Sequence, residues 1–142
     1  MESESKLLIK NIYKIFGDRP EAALRLVTDG INKQTLLEQH NHVLALNNIN
    51  LEVSTGKFQV VMGLSGSGKS TLIRHVNRLI EPTAGSVFFH DDDVTNFDGK
   101  QLRHFRRFRT SMVFQNFALL PHRTVLENIS YGLEIQNQEE NI

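Results

Sequence analysis

Within Gly63-Leu64-Ser65-Gly66-Ser67-Gly68-Lys69-Ser70-Thr71, glycines, hydroxyls and one lysine crowd into a single short stretch. These residue types suit the holding of a phosphate chain. Glycines let successive backbone amides turn inward around an anion without side-chain clashes, and a helix opening at the end of the loop adds its positive dipole end. Lys69 then supplies a point charge for the β and γ phosphates, and the Ser70 hydroxyl a ligand for magnesium. The candidate contact residues are therefore Ser65, Gly66, Ser67, Gly68, Lys69, Ser70 and Thr71, with a nucleoside triphosphate and Mg2+ as ligands. A flexible glycine-serine loop would match G-x-x-x-x-G-K-[ST] by chance in about one chain in a few hundred of this length. The flanking elements decide between the two.

Before the loop stands Phe58-Gln59-Val60-Val61-Met62, a short apolar run that predicts a strand buried on both faces of a parallel sheet. After it the period becomes helical, with Leu72, Ile73, Val76, Leu79 and Ile80 on one stripe until Glu81-Pro82. Strand, glycine-rich loop and helix is the setting a phosphate loop requires.

The remaining elements frame this unit. Leu7 to Phe16 is rich in β-branched and aromatic residues and predicts a strand stopped by Gly17-Asp18. Pro20 suits a first helical turn that runs to Gly30, and Asn32 suits the cap of a second helix ending at His40. Val43 to Leu46 and Ile49 to Val53 return to strand patterning, so residues 20–41 are expected to form a helical insert between strands. Further on, Val87-Phe88-Phe89 predicts a strand, Gly99 to Arg109 a basic amphipathic helix, Ser111 to Phe114 a strand and Thr124 to Leu133 a helix. The polar end from Gln136 is expected to fray.

Composition narrows the class. At 142 residues the chain has the length of one domain, and 16 basic residues balance 16 acidic ones, so no global field draws in nucleic acid or anionic lipid. Arg103, His104, Arg106, Arg107 and Arg109, clustered with Phe105 and Phe108, are expected to form an amphipathic helix with a solvated basic face, not a nucleic-acid site. The lack of cysteine excludes disulfides and thiolate metal sites and suits a reducing compartment. The acidic start Met1-Glu2-Ser3-Glu4-Ser5 lacks secretory character, and no apolar run approaches the roughly 18 residues that span a bilayer.

Several segments together resemble the ATP-binding subunits of ABC transporters. They are Leu79-Ile80-Glu81-Pro82-Thr83-Ala84-Gly85 after the loop, Met112 to His122 as a glutamine loop, and Phe16 directly before Gly17. The wording is most similar to the glycine betaine/proline importer ATPases in Tyr13-Lys14-Ile15-Phe16-Gly17, in the helical insert, and in Met62 to Thr71 with Asn77 to Thr83. The resemblance covers Leu7 to about Leu133.

It implies an α/β P-loop NTPase fold. The chain would be the N-terminal portion of one ABC ATPase domain, with N-terminal antiparallel strands, a helical insert at about 20–41, the phosphate loop at 63–71 and a glutamine loop at about 114–122. It also implies that Phe16 stacks on adenine and that Gln115 binds magnesium or the attacking water and reports nucleotide state. Phe117, Leu119 and Leu120 would face a permease. The expected ligands are ATP and Mg2+. The expected partners are a transmembrane permease subunit, a second ATP-binding subunit and, indirectly, a solute-binding protein, at the cytoplasmic face of the cell membrane.

Within these 142 residues there is no Leu-Ser-Gly-Gly-Gln signature, no apolar strand ending in Asp-Glu and no switch histidine. Asp91-Asp92-Asp93 follows the wrong strand and is expected to be a solvated turn, and His75 and His122 come too early for the switch. The chain alone is therefore expected to bind nucleotide, to turn it over hardly at all, and to be marginally stable. Two alternatives stay open: a small-molecule kinase of the adenylylsulfate kinase type, whose loop is similar but which expects Asp-Gly-Asp nearby, and an inactive truncated product.

Overall fold

The computed structural model describes residues 5–116 and 118–137, which divide into two compact units, residues 1–97 and 98–142. The first unit contains β1 (Ser5–Phe16), α1 (Pro20–Thr28), α2 (Lys33–His40), β2 (Val43–Ser54), α3 (Lys69–Val76), β3 (Ala84–Phe89) and β4 (Asp92–Asp93), followed by a 3-10 turn at Val94–Asn96. The strands form one sheet in the order β2-β1-β3-β4, with every neighbouring pair antiparallel.

Central β1 buries Ile9, Ile12 and Ile15. A spacing of three does not fit a regular strand, whose side chains alternate, and the backbone resolves the mismatch by shifting register against β2 between these residues. Asn11 takes a left-handed φ of 48°, and across from it Asn48 has φ 52°. The Asn11 backbone N–H donates to Asn50 Oδ1 at 2.9 Å and its side-chain amide donates to Asn48 Oδ1 at 2.9 Å. On the β3 side only glycine fits, because a Cβ on Gly85 would lie 2.3 Å from the Asn11 carbonyl oxygen.

The helical insert forms where Pro20 and Asn32 predict it. Pro20 opens α1, and Asn32 Oδ1 accepts the Thr35 N–H at 2.8 Å to cap α2. The two helices lay Ala23, Val27 and Leu36 against Ile15 and Leu44, giving β1 and β2 a covered face.

Several expectations are corrected. Residues 58–62 form no strand: Phe58 is 100% and Met62 87% exposed. Residues 111–114 form none either, with Val113 97% exposed. A parallel strand exists through hydrogen bonds to its neighbours, and no described segment pairs with either run, so apolar composition alone does not hold them extended. Helix α3 ends at Val76 instead of continuing to Ile80, because Arg78 leaves it with φ 50°. From there its guanidinium donates to the carbonyls of Val94, Thr95 and Phe97 at 3.2, 3.2 and 2.6 Å. These contacts fix the exit of α3 against residues 94–97.

In the second unit α4 (Gly99–Phe108) and α5 (Val125–Asn137) form. Asp98 Oδ1 accepts the N–H groups of Lys100 and Gln101 at 2.8 Å each, and Gln101 Oε1 accepts the Asp98 N–H at 2.8 Å, a reciprocal capping box. The predicted basic helix turns Phe105 inward. Helix α5 extends past the expected Leu133 to Asn137, with Gln136 donating to the Arg107 carbonyl at 3.0 Å, so fraying does not begin at Gln136; positions 138–141 of that stretch lie outside the described residues. Among the described residues no helix is long and apolar enough to cross a membrane.

Candidate functional site

The phosphate-loop residues lie between β2 and α3. Gly66 and Gly68 take left-handed φ values of 76° and 92°, turning the backbone as an anion cradle requires. Lys69 folds back over the loop: its ammonium donates to the Gly63 carbonyl at 2.8 Å, the Leu64 carbonyl at 2.6 Å and Ser67 Oγ at 3.3 Å. Ser65, Gly66, Ser67 and Ser70 are exposed, while Gly68, Lys69 and Thr71 are partly covered.

The loop rests on β2. A Cβ on Gly68 would sit 2.7 Å from the Ala45 carbonyl oxygen and 3.0 Å from Leu46 Cδ2. Gly68 also caps α3, whose first turn closes with the Leu72 N–H on the Gly68 carbonyl at 2.8 Å. Leu72 and His75 anchor the helix from below. His75, 1% exposed, donates from Nδ1 to the Thr71 carbonyl at 2.7 Å, and its Nε2 has no partner. Burial pushes its pKa below the usual 6.5; the Thr71 bond opposes this and the charge of Lys14 adds to it.

Phe16 closes β1 and is 41% exposed. It pairs with Val43 on β2, two residues from the Ala45 that backs Gly68, a separation of roughly 7 Å along a strand. An accessible aromatic ring and the phosphate loop are thus fixed to the same strand. The Lys14 ammonium lies 5.0 Å from the centre of the Phe16 ring and donates to the Glu81 carbonyl at 2.8 Å. One ring face carries that cation.

Gln115 belongs to the second unit and lies exposed in a bend. Phe117 lies outside the described residues. Leu119 is exposed and, with Leu120, Pro121, Val125 and Ile129, lines an apolar groove of about 300 Å³. Asn128 holds that loop, accepting the Leu120 N–H at 2.8 Å and donating to its carbonyl at 3.2 Å. Asp91 lies exposed in a turn as expected, whereas Asp92 pairs with Phe89 and Asp93 with Phe88 as the second strand of a short hairpin. Asp93 accepts from Thr95 N–H at 3.0 Å and from Asn96 Nδ2 at 2.8 Å, which commits both its oxygens to local structure.

Among the described residues no three His, Cys, Asp or Glu side chains cluster to hold a metal. The Ser70 hydroxyl remains a suitable donor for magnesium, which takes oxygen ligands, keeps several waters and is commonly bound through substrate phosphates.

A sequence model of the family described as ABC transporter matches residues 46–142. The chain belongs to the ABC transporter family. It is 47% identical over 95% of its length to the glycine betaine transport ATP-binding protein OpuAA of Bacillus subtilis, of which it covers 32%. To the glycine betaine/proline betaine transport system ATP-binding protein ProV of Escherichia coli it is 46% identical over 92% of its length, again covering 32% of that protein. The chain thus spans about a third of these relatives' length. Among solved structures, the dimeric bacterial ABC transporter cassette MJ0796 matches with a TM-score of 0.73 at 29% identity, over 94% of this chain and 49% of that one. The same cassette is also known in a dimeric post-hydrolysis state bound to ADP and Pi. This ABC chain therefore carries part of the ABC ATPase fold, an antiparallel sheet with helices.

Residues that the motifs do not announce complete the site. Arg78 reads as one more helical residue, yet it ties the exit of α3 to residues 94–97. His75 falls on the apolar stripe, and its place four residues after Thr71 is the one sequence hint of their bond.

Proposed function

We propose that this chain is the nucleotide-binding N-terminal portion of an ATP-binding subunit that energises import of a compatible solute, such as glycine betaine or proline, across the cytoplasmic membrane. The observation that carries this is the common seating of Phe16 and the phosphate loop on β2, which presents an aromatic platform and a phosphate cradle from one strand. The similarity to OpuAA and ProV supports the solute class.

ATP would lie with its phosphates against the amides of Ser65 to Ser70 and its adenine against Phe16. Lys69 would exchange the carbonyls it now holds for phosphate oxygens, moving its charge a short way across the same loop. Bound Mg2+ would supply charge neutralisation of the β and γ phosphates, with the Ser70 hydroxyl among its ligands. Hydrolysis by this family calls for a carboxylate at the end of an apolar Asp-Glu strand and for a signature loop, and these 142 residues contain neither motif. Binding is therefore the activity assigned to this chain, and turnover requires the missing elements. The subunit would act as a pair at the cytoplasmic face of the membrane, peripheral to a permease that meets Leu119 and Leu120, with a solute-binding protein delivering cargo on the opposite side.

The test is titration of purified protein with Mg2+ and ATP. Lys69→Ala should weaken binding roughly 10- to 100-fold, since it removes charge-assisted bonds worth about 1.5–3 kcal/mol. An unchanged affinity would refute the role of Lys69.

A further inference from the structure

We propose that His42 is a positioning residue for adenine recognition: it pins the Phe16-Gly17-Asp18 exit of β1 and so holds the Phe16 ring as a fixed platform. This rests on the placement of adenine at Phe16 proposed above.

Phe16 is the last residue of β1, where a strand would ordinarily fray, and its pairing partner Val43 is the first residue of β2. His42 directly precedes Val43 and bridges the two chain ends. Its Nε2 lies 2.5 Å from the Asp18 carbonyl oxygen and its Nδ1 lies 2.5 Å from the His40 carbonyl oxygen. A carbonyl only accepts and a neutral ring carries one N–H, and we place that hydrogen on Nε2, facing Asp18. The flat of the contact is Gly17: a Cβ there would meet His42 Cδ2 at 2.5 Å and Cγ at 2.9 Å, so the ring occupies the space a side chain would fill. Gly17 has φ 143°, which a side chain would also strain.

Phe16 is thus held from both sides, by Val43 through the ladder and by His42 through Asp18. The Lys14 ammonium, 5.0 Å from the ring centre and anchored on Glu81, further limits how the ring can turn. Stacking on an aromatic ring gains most when the ring is already in place, because a platform that is correctly set only part of the time lowers the apparent affinity by that fraction. The triphosphate cradle, built on Gly68 and Ala45, does not depend on the ring.

The experiment measures the affinity of purified protein for Mg2+·ATP and for inorganic tripolyphosphate, which has no base. His42→Ala should weaken ATP about three- to tenfold and leave tripolyphosphate within about twofold of wild type. His42→Gln should recover most of the loss, because its amide nitrogen reaches the position of Nε2 and still donates to Asp18. His42→Asn, whose amide mimics Nδ1, should not recover it. Phe16→Ala should weaken ATP roughly 5- to 150-fold, as loss of base stacking does, with tripolyphosphate again spared. If Phe16→Ala weakens ATP and His42→Ala does not, the positioning role is overturned while adenine stacking stands. If His42→Ala weakens both ligands equally, or Asn recovers ATP as well as Gln does, His42 serves general stability and the proposal fails. If Phe16→Ala leaves ATP unchanged, the placement of adenine itself is wrong, and the role of His42 falls with it. Should His42→Ala not fold, the contrast between Gln and Asn carries the decision.

Discussion

Replacing Gly68 by alanine tests whether the phosphate cradle is seated on β2. Gly68 has φ 92°, a conformation that costs an L-residue about 1–2 kcal/mol. Its added Cβ would also fall 2.7 Å from the Ala45 carbonyl oxygen and 3.0 Å from Leu46 Cδ2. Ordinary carbon–oxygen contacts begin near 3.3 Å, so atoms must move by about half an ångström. Ala45 cannot yield freely, because β2 is paired with β1 along its length. Overpacking of this kind costs about 1–3 kcal/mol, which brings the expected total to about 2–5 kcal/mol. Gly66→Ala and Gly30→Ala separate the two contributions. Both positions have left-handed φ, 76° and 94°, and neither Cβ would meet anything within 4 Å. They should lose only the conformational part, about 1–2 kcal/mol.

Urea unfolding at constant slope measures the three stabilities, and a Mg2+·ATP titration on the same proteins measures the site. Gly68→Ala should be the least stable of the three by about 1–3 kcal/mol and should also weaken ATP, because it displaces the residue that caps α3 and precedes Lys69. Gly66→Ala should weaken ATP with a small stability loss, and Gly30→Ala should leave ATP unchanged. If Gly68→Ala and Gly66→Ala differ by less than about 0.5 kcal/mol, the loop does not rest on Ala45 and the account of the site is wrong.

His75 has its folded pKa held below 6.5 by burial, so the unfolded chain takes up the proton first as pH falls; the stability of its neutral form is complete above 6.5 and declines below it, with a slope of at most about 1.4 kcal/mol per pH unit. Denaturation midpoints between pH 7.5 and 5 should show this decline, and His75→Leu should flatten it. Asp98→Ala removes the side-chain half of the capping box, the acceptor for the Lys100 and Gln101 N–H groups, and should cost about 1 kcal/mol, seen as faster amide hydrogen exchange in the first turn of α4. Exposure of Phe58, Val61 and Met62 predicts association of the 142-residue chain as its concentration rises; Phe58→Lys with Met62→Lys should reduce light scattering without lowering stability, and scattering unchanged by the two substitutions would count against this.

The elements legible in the sequence are those whose causes lie within a few residues. Pro20, Asn32 and the Asp98–Gln101 pair satisfy or remove backbone donors at helix starts, so the three helices begin where those residues stand. The apolar run from Phe58 to Met62 carries a different kind of information. It states that neighbours should cover it on both faces, and no described segment does so, leaving composition without the hydrogen bonds that make a strand. Arg78 fails the helical pattern for the opposite reason, since three distant carbonyls compete successfully for its guanidinium.

The phosphate loop combines both kinds of cause. Gly66, Gly68 and Lys69 specify the amides, the turn and the charge locally, and for that reason the motif is readable without the structure. Its seat is not local: Gly68 closes on Ala45, and Val43 on the same strand holds Phe16 and is preceded by His42. The distance between a phosphate cradle and an aromatic platform is thus set by residues 42–45, none of which belongs to the motif. A substitution there that shifts β2 by one register position would reverse which of its side chains face the helical insert, and would separate adenine from phosphate recognition while leaving every residue of the loop intact.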